Sequence, residues 1–129
     1  MPVTLRCGTS FYFNNRIGDN HLYFVISDPA DPCVVVVNIT TIRGFRFEDL
    51  SCVLDVGDGT GIQHPSRIAY EYAEMVHTAD LIAALNSGDA TFVQYVSPST
   101  MAKIWCGAEV TAQLSLRHSK TLRDQGLIA

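Results

Sequence analysis

The sequence predicts a mainly β domain with added α structure: a small, bent antiparallel barrel carrying one short helix and a C-terminal helix. Three observations carry that expectation. Two apolar runs, 22–26 and 33–39, frame a turn and are rich in the aromatic and β-branched residues that suit a pleated sheet. Turn formers recur at short intervals, at 14–20, 27–32 and 57–61, which is the spacing of short strands. A length of 129 residues with 47% hydrophobic content builds one core and not two, so residues 1–129 read as a single domain.

The first strand is expected over 5–13, with Gly8 early and Phe11, Tyr12 and Phe13 late. The polar loop 14–20 then overhangs His21, and the second strand runs over 22–27. Pro29 and Pro32 forbid regular ladder pairing, and Asp28 and Asp31 bond their own backbone, so the chain turns before a third strand at 33–40. Val34 to Val37 show no polar alternation, which requires cover on both faces. A short strand follows at 52–56, and the glycine-rich stretch 57–61 reads as an exposed, flexible turn.

Residues 66–76 are ambiguous, because Ile68, Tyr70 and Tyr72 alternate as in a strand while Ala69, Ala73 and Glu74 suit a helix. The order of neighbouring elements favours a strand over 67–76. Thr78 caps a short helix that Asn86, Ser87 and Gly88 end, and 91–96 form another strand, closing a barrel of about 5–96. Ser97 and Pro98 open a helix of about 98–117, whose Met101, Ile104, Trp105 and Ala108 form one apolar stripe. Residues 118–129 read as a terminal helix or a mobile tail.

Composition excludes several function classes. A net charge of -4, with only nine Lys and Arg, argues against a broad electrostatic grip on nucleic acid and leaves room for a local basic groove. No basic-then-apolar leader and no apolar run of about 20 residues is present, so a cytoplasmic protein without a membrane span is expected. Cys7, Cys33, Cys52 and Cys106 form no C-x-x-C pair and read as buried free thiols. The three glycines at 57, 59 and 61 lack the strand-to-helix context of a phosphate loop, and no G-x-S-x-G elbow is present. His21, His64, His77 and His118 include no i, i+4 pair, and Asp55 with Asp58 lack the calcium-loop pattern, so neither metal nor cofactor is expected.

The chemistry-bearing residues cluster at strand ends. His21 follows a loop and opens a strand, which places it at a barrel rim. Thr40 and Thr41 end the third strand; as β-branched residues they also simply suit one. Arg43 and Arg46 flank Phe45, a combination that holds phosphate and stacks a base, although two hairpin arginines are also ordinary solvated charges. His64, Ser66 and Arg67 bring imidazole, hydroxyl and guanidinium within four positions; a polar loop stiffened by Pro65 is the preferred reading of that cluster.

Taken in order, the strand ending Val25-Ile26-Ser27, the turn, the strand ending Asn38-Ile39-Thr40-Thr41, and Arg43-Gly44-Phe45-Arg46-Phe47-Glu48 resemble the PemK/MazF family of toxin endoribonucleases. The likeness runs over residues 5 to 108, with Tyr95-Val96-Ser97-Pro98 leading into the C-terminal helix. It implies an SH3-like barrel, a homodimer, metal-independent cleavage of single-stranded RNA, and neutralisation by a cognate antitoxin protein. Thr40 or Thr41 fills the family's threonine position, and Arg43, Phe45, Arg46, His64, Ser66 and Arg67 become candidates for holding RNA. One departure matters: the family's arginine ahead of the first strand is absent, and His21-Leu22 stands there. An imidazole moves protons near neutral pH more readily than a guanidinium does, so His21 takes the proton-transfer role if chemistry is retained. The alternative is a non-catalytic barrel that binds a protein or peptide in the same groove.

Overall fold

The computed structural model describes residues 2–129. Along the chain come β1 (Thr9–Phe13), β2 (Tyr23–Val25), β3 (Cys33–Thr41), β4 (Val53–Leu54), β5 (Ser66–Ile68), a 3₁₀ turn (Tyr70–Tyr72), β6 (Glu74–His77), α1 (Thr78–Ser87), β7 (Ala90–Tyr95), α2 (Pro98–Val110) and α3 (Leu116–Asp124). Every strand pairing is antiparallel, in the order β4-β5-β3-β2-β1-β7. The mainly β, barrel-like sheet with added helices that the sequence predicts is the fold the chain adopts.

The organising element is β3. One edge pairs with β2; along the other, Cys33 to Val36 pair with β6 and Ile39 to Thr41 pair with β5. Its run of valines is explained by cover on both faces. Val35, Val37 and Ile39 pack into a core closed by Met101, Ile104 and Ala108 of α2. Val34 and Val36 face a second cluster with Phe11, Tyr23, and Leu81 and Leu85 of α1. The α2 stripe therefore belongs to the main core, and Trp105 adds an indole N–H bond to the Ile26 carbonyl at 2.9 Å.

The single strand expected over 67–76 is broken. After Ile68 the chain makes one 3₁₀ turn, with Tyr72 N–H bonded to the Ala69 carbonyl at 3.0 Å, and rejoins β3 only at Glu74. The reason is Tyr70, whose ring is fully buried beneath α2, while Tyr72 turns out to solvent. The interruption leaves Val37 and Asn38 of β3 without a ladder partner on that edge, apart from the bond from Ala69 N–H to the Asn38 carbonyl at 2.8 Å.

The C-terminal helix expected over 98–117 is two helices. Ser97 caps α2 as expected, accepting from Thr100 N–H at 3.2 Å. At Thr111 the backbone becomes extended, and the Thr111 hydroxyl bonds the Asp49 carboxylate, which stops the helix there. Ser115 then caps α3 by accepting from His118 N–H at 3.3 Å. Leu122 and Ile128 reach the main core, so the segment 118–129 is a docked element.

Smaller corrections share one cause, side chains finding tertiary partners. Thr78 does not cap α1; its hydroxyl donates to the Asp31 carbonyl at 2.8 Å, and His77 occupies the cap position. The glycine-rich turn is tied down, since Lys103 Nζ bonds Asp58 at 2.7 Å and the Thr100 hydroxyl donates to the Asp58 carbonyl at 2.7 Å. Of the four free thiols only Cys52 is buried outright, and Cys106 is exposed. Burial pushes the Cys7 thiol up to about 12, with Asp28 adding to it, and Cys52 up to about 11, so neither serves as a nucleophile near neutral pH.

The buried phenol of Tyr70 donates to the Ile104 carbonyl at 2.5 Å. Tyr70→Phe is expected to keep the fold and cost about 1 kcal/mol, seen as a lower denaturant midpoint with an unchanged slope.

Candidate functional site

The site forms where β2 begins and β3 ends and the loop before β5 folds back over them. A cavity of about 200 Å³ opens there, and His21, Thr40, Thr41, Arg43, His64 and Ser66 are among its lining residues. These residues are separated by up to 45 positions in the chain and meet because β3 pairs with both β2 and β5.

His21 sits at the rim ahead of β2. Its Nδ1 lies 3.1 Å from the Ile39 carbonyl, which only accepts, so Nδ1 carries the proton and Nε2 keeps its lone pair in the neutral ring. The ring is held in one tautomer by the backbone of the neighbouring strand, the arrangement an oriented general base needs. His64 lies across the cavity with Nε2 2.8 Å from the Thr41 hydroxyl. When His64 is protonated, Nε2–H donates to Thr41 and Nδ1–H remains as a second donor.

Arg43 brings the positive charge. Its guanidinium makes no ion pair among the described residues, while its backbone N–H bonds both oxygens of Glu48, at 2.9 and 3.1 Å. Phe45 N–H donates to the same carboxylate at 2.9 Å, so Glu48 ties the loop 43–48 into a tight bend that presents Arg43. Those amide bonds, first from Arg43 and then from Phe45, hold the Glu48 carboxyl below the usual carboxylate range, with the Arg67 charge helping.

A carboxyl whose pKa is lower in the folded than in the unfolded chain stabilises the fold above the unfolded value, and that contribution disappears as pH falls through the folded value. Acidification below about pH 4 is therefore expected to remove amide-exchange protection at Arg43 and Phe45 before the β3 core opens. Glu48→Gln should show the weakened protection already at neutral pH.

Three of the remaining expected site residues, Phe45, Arg46 and Arg67, are elsewhere. Arg67 lies outside the cavity, its Nη1 bonded to Glu71 at 3.0 Å and its Nε 3.6 Å from Glu48, so two carboxylates engage its charge. Phe45 and Arg46 lie exposed on the loop beyond Arg43 and do not line the cavity. Ser66 lines it but is buried, and its hydroxyl donates to the His64 carbonyl at 3.0 Å, which steadies the His64 loop. Tyr12, Asn20, Leu22, Ile39, Gly61 and Gln63 complete the wall and were not legible as site residues, because no motif surrounds them. Gly61 has φ +91°, and a Cβ there would lie 3.0 Å from the Tyr12 hydroxyl, so the residue keeps the wall both turned and open.

Chemically, the cavity holds two imidazoles, two threonine hydroxyls and one uncommitted guanidinium. Among the described residues no group of three or more His, Cys, Asp or Glu is placed to hold a metal ion. No helix of the described residues is long and apolar enough to cross a membrane. No protein-family model matches the chain, and no curated protein matches it.

Proposed function

We propose that the protein is an endoribonuclease of the PemK/MazF type, cleaving single-stranded RNA without a metal ion as the toxin of a toxin–antitoxin pair. The observation that carries this reading is the meeting of His21, His64, Thr41 and Arg43 around one cavity. Two imidazoles divide the work of a general base and a general acid, and a guanidinium meets charge developing on phosphate oxygens.

In this reading His21 Nε2 takes the proton from a ribose 2′-hydroxyl as that oxygen attacks the adjacent phosphorus. His64, oriented by Thr41, gives a proton to the departing 5′-oxygen as the P–O5′ bond breaks. Arg43 and the Thr40 and Thr41 hydroxyls stabilise the phosphorane, and a 2′,3′-cyclic phosphate and a 5′-hydroxyl result. The imidazole at the position of the family's arginine thus supplies a base, while the charge that the arginine brings comes from Arg43. The loop 43–48 also carries exposed Phe45 and Phe47, which offer an antitoxin an apolar hold beside the basic mouth. Apolar surface of this kind also suits the proposed homodimer.

Expression in a bacterial host tests the biological side. Induction is expected to arrest growth, and the His21→Ala protein, produced at the same level, to leave growth unaffected. Equal arrest by both proteins would remove His21 from the mechanism, and no arrest by the wild type would favour a non-catalytic binding barrel.

A further inference from the structure

The cavity of the candidate site has no carboxylate on its walls, although the chain as a whole carries a net charge of -4. Its ionisable side chains are His21, Arg43, His64 and the phenol of Tyr12. Asp19 and Glu48 stand beside it with their carboxylates turned to backbone amides: Asp19 accepts from His21 N–H at 3.2 Å, and Glu48 from Arg43 N–H at 2.9 Å. A cavity rich in donors and free of carboxylates suits an anion.

Tyr12 is a polar residue of this wall that the cleavage steps described above leave idle. It lies in β1 opposite Thr91, between Phe11 and Phe13, whose rings belong to the second cluster. Strand alternation sends Tyr12 to the other face, where its ring lies half-buried against the main core. The phenol oxygen ends beside Gly61, another residue of the cavity wall, where a Cβ would stand 3.0 Å from it. The hydroxyl makes no hydrogen bond among the described residues, and it is not sealed in: the enclosed side-chain atoms without partners are Asn38 Oδ1, Arg67 Nε and His118 Nδ1. A phenylalanine would fill the same space against the core, so packing gives the hydroxyl no task.

We propose that Tyr12 is a substrate-contacting residue, its phenol donating to a non-bridging oxygen of the phosphate held in the cavity; the assignment of the cavity to phosphate rests on the nuclease reading. A phenol donates one hydrogen bond without bringing charge, so it adds to Arg43 where negative charge grows as the phosphorane forms. Thr40 and Thr41 end β3 and Arg43 follows them, while His64 comes from the loop before β5. Tyr12 adds a donor from β1, and the missing side chain at Gly61 leaves its hydroxyl within reach of the ligand.

The test compares wild type with Tyr12→Phe in two assays: cleavage of a single-stranded RNA, and binding of a single-stranded DNA hexamer that lacks the attacking 2′-hydroxyl, followed by fluorescence anisotropy. Thermal unfolding of both proteins is the control. Tyr12→Phe is expected to lower kcat by about tenfold or more and hexamer affinity by about fivefold, with an unchanged unfolding midpoint. A fall in kcat alone at an unchanged midpoint also supports the contact, as one made in the transition state. Wild-type cleavage by Tyr12→Phe, or a loss that comes with a lowered midpoint, overturns the contact while the nuclease reading stands. If wild type cleaves no RNA, the nuclease reading falls and hexamer binding alone decides Tyr12: weaker binding by Tyr12→Phe supports the contact, and equal binding or none overturns it.

Discussion

Replacing His21 by alanine is expected to lower the rate of RNA cleavage by about a hundredfold or more, the range for losing a positioned proton-transfer group. The substitution removes the imidazole that lines the cavity, together with the bond from Nδ1 to the Ile39 carbonyl. His21 is exposed, so the fold should be unaffected, and thermal unfolding of the variant serves as the control. His21→Arg restores the residue that the PemK/MazF pattern carries there and should retain activity, because a guanidinium donates bidentate bonds to the phosphorane. A His21→Ala protein as active as wild type would place the base elsewhere.

Arg43→Ala carries the second large effect. Among the described residues its guanidinium has no carboxylate partner, in contrast to Arg67, which has two. The fall in kcat should be about a hundredfold, the usual cost of deleting a group that meets transition-state charge. Arg43→Lys should recover little of it, because a point charge does not reproduce two parallel N–H bonds. Arg67→Ala is expected to act differently. It releases Glu48 and Glu71 and loosens the loop, so stability and loop exchange change more than the chemical step.

The contrast between the two arginines marks how far the sequence could be followed. The strands at 33–40 and 91–96 and the Ser97 cap were legible because apolar runs, turn formers and capping residues act locally. The break at Tyr70 was not, since alternation of Ile68, Tyr70 and Tyr72 holds equally for a continuous strand, and only the space beneath α2 decides which ring goes in. The split between α2 and α3 depends on Thr111 reaching Asp49, a contact 62 positions away in the chain.

At the site, His21, Thr41, Arg43 and His64 were found as residue types at strand ends. Their convergence required the pairing of β3 with both β2 and β5. Arg67 carried the same signal as Arg43; Glu71 stands only four residues after it, but nothing local announced that Glu48 would engage it as well.

The most direct measurement of the central claim is the identity of the ends made from a single-stranded RNA by the purified wild-type protein in the presence of EDTA, determined by mass spectrometry. A 2′,3′-cyclic phosphate on one fragment and a 5′-hydroxyl on the other, formed at a rate indifferent to EDTA and lost in His21→Ala, is the expected result. RNA left intact, or cleaved to a 3′-hydroxyl and a 5′-phosphate only when a divalent metal is present, would contradict it.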